Sequence, residues 1–165
     1  PLCAVAVCKS LEEFGISPEI KWVNDILVNK KKVCGILVET ILNKEPNVII
    51  GIGLNLFKPK EGFPEEIKDK ASFIFEKRDK RIKDKLVNLI LENIFKYYSK
   101  IENKDFFSYY REHCITLNKK VNLIDVNGNQ KSVQVIDLNK DFGLIVSNED
   151  NSIEIIHTGE ASLII

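Results

Sequence analysis

The stretch Lys21-Trp22-Val23-Asn24-Asp25 places a cation, an amide and a carboxylate within five residues. Side chains alternate across a strand, so Lys21 and Asn24 would lie on opposite faces. A cluster of this kind at the end of a strand could seat an anionic ligand. The same residues also fit an edge strand with a surface lysine and an Asx turn. By residue type alone, this second interpretation is favoured.

The residues around this stretch predict a mainly antiparallel sheet. A short strand is expected over Glu19–Val23. Two β-rich runs, Ile26–Asn29 and Val33–Leu42, flank the lysines at 30–32 and indicate a hairpin with a solvated basic turn. Asn47–Leu56 is almost continuously apolar and contains two glycines, which predicts a buried strand with close backbone approach.

Apolar residues at helical spacing predict four helices, whose apolar stripes are assigned to the core. Leu2–Phe14 carries such a stripe and is followed by the helix-stopping Gly15. Arg81–Ile101 has the clearest pattern, with apolar residues at steps of three and four. Shorter helices are predicted over Ile67–Phe75 and Asp105–Cys114.

After Leu117 the sequence changes to short runs rich in valine and isoleucine, separated by turn residues such as Asn-Gly. Regular short strands of this kind predict a small β-barrel. The predicted strands are Val121–Val126, Val133–Asn139, Gly143–Ser147, Ser152–His157 and Ala161–Ile165. The fold class is therefore expected to be α+β, with one part at residues 1–117 and a barrel at residues 118–165.

Composition limits the classes of function. The chain has 165 residues with 24 basic and 24 acidic side chains, so its zero net charge disfavours a nucleic-acid partner. The four cysteines form no C-x-x-C pair, and buried reduced thiols in a cytosolic protein are expected. No apolar run reaches the roughly 18 residues of a membrane span. Because the chain lacks methionine and begins with Pro1, we expect it to be part of a longer protein.

Two glycine-containing segments are further site candidates. Gly35, within Cys34–Glu39, indicates either close approach of a ligand or a β-bulge. Gly51–Asn55 is not a G-x-G-x-x-G motif, so a dinucleotide fold is unsupported. Asn55 could hydrogen-bond a base edge or cap a turn. The sequence has no Walker loop, no metal-ligand cluster and no G-x-S-x-G motif, and its two histidines lie far apart without a nucleophile partner.

Three motifs, in order, resemble those of biotin protein ligases. They are KWVNDIL at 21–27, KVCGILVE at 32–39 and GIGLN at 51–55. The family forms are Lys-Trp-Pro-Asn-Asp, Gly-Ile-Leu-x-Glu and Gly-Ile-Gly-x-Asn. The ending TGEASL at 158–163 also resembles the Gly-Glu-x-Ser-Leu of the family's C-terminal barrel. Together these motifs extend the resemblance over the whole chain.

The resemblance implies a class II synthetase-like catalytic domain, truncated at its N-terminus, followed by an SH3-like β-barrel. Biotin and ATP, with Mg²⁺, would give biotinyl-5′-AMP and pyrophosphate. The acyl group would then pass to a lysine of a biotin carboxyl carrier protein. The enzyme would be cytoplasmic, with neither a nucleic-acid nor a membrane partner.

The resemblance also implies roles for individual residues. Lys21 would be catalytic and contact the biotin carboxylate and the α-phosphate, where a fixed ammonium stabilises developing negative charge. The residues implied to bind the substrate are Trp22, Asn24, Asp25, Gly35 and Ile36. The residues implied to bind the nucleotide are Gly53 and Asn55, the latter at adenine.

The sequence departs from the family pattern at three points. Val23 replaces the motif proline, which we expect to be tolerated because no functional group is lost. Ile164 stands where relatives often have an arginine that reaches the nucleotide phosphates. The Gly-Arg-Gly-x-x-Gly-Arg loop, which precedes the Lys-Trp-Pro-Asn-Asp motif in the family, is absent from the sequence.

Other functions stay open at this point. A lipoate or octanoate ligase has the same fold, although Trp22 beside Lys21 and the Gly-Glu-Ala-Ser-Leu ending favour biotin. The different-class alternative is a non-catalytic binding module that has lost the Gly/Arg-rich loop. Exposed strand edges also make a homodimer possible.

Overall fold

The computed structural model describes residues 1–41, 47–124 and 128–163. Within these ranges the chain forms three α-helices, one short 3-10 helix at Ile101–Asn103 and nine strands in two antiparallel sheets. This arrangement confirms the expected α+β class. Leu42, the ends of two predicted barrel strands at 125–126 and 164–165, and the departure at Ile164 lie outside the described residues.

The first sheet contains four strands in sequence order. They are β1 at Glu19–Lys21, β2 at Asp25–Val28, β3 at Lys31–Ile41 and β4 at Asn47–Leu54. The β2–β3 hairpin closes through two residues with positive φ, which is the geometry of a type I′ turn and matches the twist of the strands. The predicted hairpin with a basic turn is therefore confirmed.

The prediction that Asn47–Leu56 is a buried strand is wrong. β4 ends at Leu54, and its first five residues are all exposed. The outer half of β3 is exposed as well, so the two strands present an open apolar face. A continuous apolar run indicates that a strand can be covered, but it does not say by which part of the protein.

Three helices pack around the first sheet. α1 spans Leu2–Glu12 and is buried along most of its length. α2 spans Lys80–Tyr98, packs on α1, and begins where the carboxylate of Asp79 accepts a hydrogen bond from the Arg81 amide. α3 spans Phe107–His113. These bounds lie within three residues of the predicted ones.

The predicted helix at Ile67–Phe75 is wrong. Residues 65–70 form turns, and the following residues run alongside β3. The Lys32 amide donates to the Lys70 carbonyl at 2.7 Å, and the Ser72 amide donates to the Lys32 carbonyl at 2.9 Å. The Lys70 carbonyl and the Ser72 amide are therefore hydrogen-bonded to β3, and these bonds replace those of a local helix.

The second sheet has five antiparallel strands in the order β8-β7-β6-β5-β9. The strands are β5 at Lys120–Ile124, β6 at Gln130–Leu138, β7 at Leu144–Ser147, β8 at Ile153–Ile156 and β9 at Glu160–Leu163. Valine and leucine at largely alternate positions of β5 to β7 fill its core. Among the described residues β8 and β9 are the two edges and do not pair, so the barrel expected here is open between them.

An aromatic cluster joins the second sheet to the helices. The ring of Phe142, before β7, stacks on Phe106 with centroids 5.4 Å apart and meets Tyr110 edge-on at 5.3 Å. The guanidinium of Arg111 on α3 also donates to both carboxylate oxygens of Asp137 on β6. These contacts hold β6 and the segment before β7 against α3 and the residue before it. No helix in the described part of the chain is long and apolar enough to cross a membrane.

Candidate functional site

The tip of the β1–β2 hairpin brings Lys21 and Asp25 opposite each other. They are paired in register, and both side chains are 18% exposed. The Lys21 Nζ lies 3.9 Å from the Asp25 Oδ2 and 3.7 Å from the Glu160 Oε1 on β9. Both distances exceed a hydrogen bond. The ammonium is therefore partly desolvated and faces two carboxylates without being tightly held by either.

Lys32 completes the charged cluster and was not predicted as a site residue. Its Nζ lies 2.5 Å from the Asp25 Oδ1, which is much closer than Lys21. The sequence did contain a signal, because a two-residue hairpin turn pairs Lys32 with Leu27, two residues from Asp25, before a bulge shifts the register. Reading that register would have placed the second lysine near Asp25.

Asn24 ties the hairpin tip to β3. Its side-chain amide donates to the Ile36 carbonyl at 2.5 Å, and its own carbonyl accepts from the Ile36 amide at 3.1 Å. The peptide bond between Trp22 and Val23, one residue earlier, is cis. The two hydrogen bonds between Asn24 and Ile36 hold the polar tip over the middle of β3.

A cavity of about 480 Å³ begins beside this tip and runs over the glycines of β3 and β4. Gly35 pairs with Gly53, and Gly51 lies next to them in the ladder. Asp25 and Lys32 line its charged end. Because the glycines lack Cβ atoms, a flat group could lie close to the strand backbones.

A larger apolar groove of about 1670 Å³ adjoins this cavity. It lies between the exposed face of β3 and β4 and one face of α2. Asn24 and Ile36 line both spaces. Asn55 lines the groove, with its backbone amide bound to the Val33 carbonyl at 2.7 Å and its carbonyl bound to the Ile74 amide at 3.0 Å. Its backbone is thus fixed next to the groove.

Trp22 lies apart from these cavities. Its side chain is 2% exposed and lines neither of them. The indole Nε1 donates to the Phe142 carbonyl at 2.8 Å, and the Trp22 amide donates to the buried Thr116 hydroxyl at 3.0 Å. The tryptophan therefore anchors the hairpin tip to the second sheet. The structure thus brings together Lys21, Asn24, Asp25, Gly35, Ile36 and Gly53, with Asn55 in the adjoining groove.

The nearest thiol is not a nucleophile at neutral pH. Burial and, to a smaller extent, the negative charge of Asp25 raise the pKa of Cys34 to about 12, although Lys32 lowers it. The thiol is therefore protonated at pH 7. His113 lies on α3, where its ring stacks on Tyr109, away from the tip. No group of three or more His, Cys, Asp or Glu side chains within the described ranges could hold a metal ion.

The sequence and the fold are similar to those of known proteins. Residues 2–55 match the model of the biotin/lipoate A/B protein ligase family. The structure of a biotin protein ligase from Aquifex aeolicus, in complex with biotin and ATP, superposes with a TM-score of 0.76 and 30% identity, covering 99% of this chain and 69% of that one. Its apo structure gives a TM-score of 0.79 and 72% coverage of that chain.

A curated relative is more similar over a shorter segment. The bifunctional ligase/repressor BirA of Bacillus subtilis (strain 168) is 44% identical over 84 residues. That match covers 49% of this chain and 26% of the relative. The fold and the 30% identity along 99% of the chain place it among the biotin/lipoate-type protein ligases. The chain belongs to the biotin protein ligase family.

Proposed function

We propose that this chain takes part in the ATP-dependent activation of biotin and its transfer to a protein lysine. In the first step, a biotin carboxylate oxygen would bond to the α-phosphorus of ATP while the bond to pyrophosphate breaks. In the second step, the amine of a carrier lysine would attack the acyl carbon and lose a proton, and AMP would leave. The single observation that carries this proposal is a glycine-lined cavity in a chain of this family, with Asp25 at its charged end and the Lys21 ammonium 3.9 Å from the Asp25 carboxylate.

Lys21 is proposed as the catalytic residue. Its ammonium has three donors and two carboxylate neighbours beyond hydrogen-bond distance, so its donors can turn to an incoming anion. Negative charge grows at the α-phosphate oxygens in the transition state. A preorganised cation in a partly desolvated position stabilises that charge more than water does.

The neighbouring groups are proposed to shape the ligand site. Asn24 would fix the hairpin tip on Ile36, and Gly35 and Ile36 would offer backbone and a flat surface to biotin. Gly53 would continue this surface towards the nucleotide, and Asn55 in the groove would hydrogen-bond adenine. Asp25 would set the charge around Lys21.

Trp22 was predicted to bind substrate. We propose instead that it acts indirectly, by holding the hairpin tip in place. Its indole holds the tip against the second sheet, which in turn brings Glu160 towards Lys21. On this view residues 1–117 form the catalytic unit and residues 118–165 an SH3-like barrel that supports it.

The remaining elements of the proposal follow from the family. A biotin carboxyl carrier protein would be the acceptor, Mg²⁺ would enter with ATP, and the reaction would take place in the cytoplasm. The open edge of β4 would allow a homodimer. No role on nucleic acid or membranes is proposed for this chain.

The test is ATP–pyrophosphate exchange by the protein expressed from its complete gene, with biotin and then with lipoate. We expect exchange that depends on biotin. Lys21→Ala should lower it about 100-fold, while Lys30→Ala, which removes an exposed lysine of the nearby turn, should leave it unchanged. Exchange with lipoate alone would assign the protein to the lipoate ligases. A folded protein with no exchange would favour the binding-module alternative.

A further inference from the structure

The short contact between Lys32 and Asp25 has no role in the proposed mechanism. Asp25 has an ammonium group on each side, at 2.5 Å for Lys32 and 3.9 Å for Lys21. Attraction between charges falls with distance, so the carboxylate is neutralised mainly by Lys32. Lys21 is left with long contacts only.

Backbone hydrogen bonds and the neighbouring Gly35 determine the conformation of Lys32. Its backbone amide and carbonyl are both bound to the segment at 70–72. Its side chain crosses Gly35, where an added Cβ would lie 3.2 Å from both the Lys32 Cε and Nζ. Because Gly35 has no side chain, the Lys32 side chain can pass over it and place its ammonium beside the Asp25 carboxylate.

The Lys32 side chain contributes little to the core. It is 49% exposed, and it lines the charged end of the smaller cavity together with Asp25. A partly exposed ion pair of this type adds little to stability. The close contact between Lys32 and the less exposed Asp25 therefore indicates a role in the site and not in the stability of the fold.

We propose that Lys32 is a positioning residue that holds Asp25 away from Lys21, so that the Lys21 ammonium stays available to the anionic groups of the substrates. Without Lys32, the carboxylate needs to move only about 1 Å to form a direct hydrogen bond with Lys21. Asp25 would then compete with the biotin carboxylate and the α-phosphate for the same donors. This inference rests on the proposed function.

The test is a double-mutant cycle on the protein expressed from its complete gene, with Lys32→Met, Asp25→Asn and both together. Lys32→Met should lower kcat/KM for biotin in pyrophosphate exchange about 30-fold, chiefly through a higher KM. Adding Asp25→Asn to that variant should raise kcat/KM at least about threefold, because the competing charge is gone. A further fall in the double variant would overturn the proposal, since it would mean that each residue acts independently.

Two matched variants separate charge and position from folding. Lys32→Arg keeps the cation and should stay within about threefold of the parent. Lys30→Met removes the same charge from the same turn and should have no effect. The melting temperature of Lys32→Met should fall by no more than about 3 °C. Loss of activity in Lys30→Met equal to that of Lys32→Met would refute the specific role.

A crystal structure of Lys32→Met gives a readout that does not depend on activity. We expect the Lys21 Nζ to Asp25 carboxylate distance to shorten from 3.9 Å to hydrogen-bond length. An unchanged distance would refute the inference even if the enzyme is active. Conversely, if the parent protein shows no biotin-dependent exchange, the proposed function fails while the shortened distance still supports the role of Lys32.

Discussion

Replacing Trp22 by phenylalanine tests how the two sheets are joined. The indole is almost fully buried, and its Nε1 donates to the Phe142 carbonyl at 2.8 Å. Trp22→Phe removes this donor and leaves a buried carbonyl without it, which costs about 1–3 kcal/mol. The smaller ring also leaves a cavity, which adds about 1–2 kcal/mol. We expect the free energy of unfolding to fall by about 3 kcal/mol.

The assay is urea unfolding at pH 7 followed by far-ultraviolet circular dichroism, since Trp22 is the sole tryptophan and cannot report on its own loss. Tyr98→Phe is the matched control, because Tyr98 is an exposed aromatic residue of α2 and its loss should change stability by less than about 0.5 kcal/mol. A change for Trp22→Phe as small as that of the control would refute the anchoring role of the indole.

Three further predictions follow from the same contacts. Gly35→Ala should weaken biotin binding about tenfold in calorimetry, because its methyl would narrow the glycine-lined cavity and push the Lys32 ammonium, 3.2 Å away, by a few tenths of an ångström. The free energy of unfolding should change by less than about 1 kcal/mol, and unchanged binding would contradict this prediction. Arg111→Met should cost at most about 1 kcal/mol at pH 7. The hydrogen bond from Arg111 lowers the pKa of Asp137, so this difference should persist above the ordinary carboxyl range and vanish as the pH falls through the lowered pKa; urea unfolding at several pH values checks it. With a pKa of about 12 and a buried side chain, Cys34 should react with a thiol reagent only when urea unfolds the chain, and rapid labelling of the native protein at pH 7 would oppose this.

The charged cluster illustrates how tertiary structure changes the use of a motif. Lys21 and Asp25 are close in sequence and meet across a hairpin, as local reasoning allows. Lys32 and Glu160 reach them from β3 and from the second sheet. The four charges sum to zero, so an anionic ligand at Lys21 would also meet the negative charge of two nearby carboxylates. Glu160 is the more exposed of the two carboxylates, at 66%.

Errors at the sequence level came from segments whose partners are distant. The apolar run in β4 predicted burial, but burial depends on what covers the strand, and in the described structure its outer half faces the open groove. The helix predicted at Ile67–Phe75 does not form, because this segment makes backbone hydrogen bonds with β3 instead. A local sequence pattern carries no information about such a distant partner. Propensity is a weak predictor when such long-range bonds compete with it.

The sequence by itself determined the α+β class, the three helices, the antiparallel hairpins and the family. Periodicity, turn residues and short motifs are local properties, and they lie within single elements or neighbouring ones. Only the tertiary structure decided that Trp22 is an anchor, that Lys32 pairs with Asp25 and that Glu160 approaches Lys21. These outcomes depend on strand register and on the contact between two sheets, where a shift of a few ångströms decides which charge meets which.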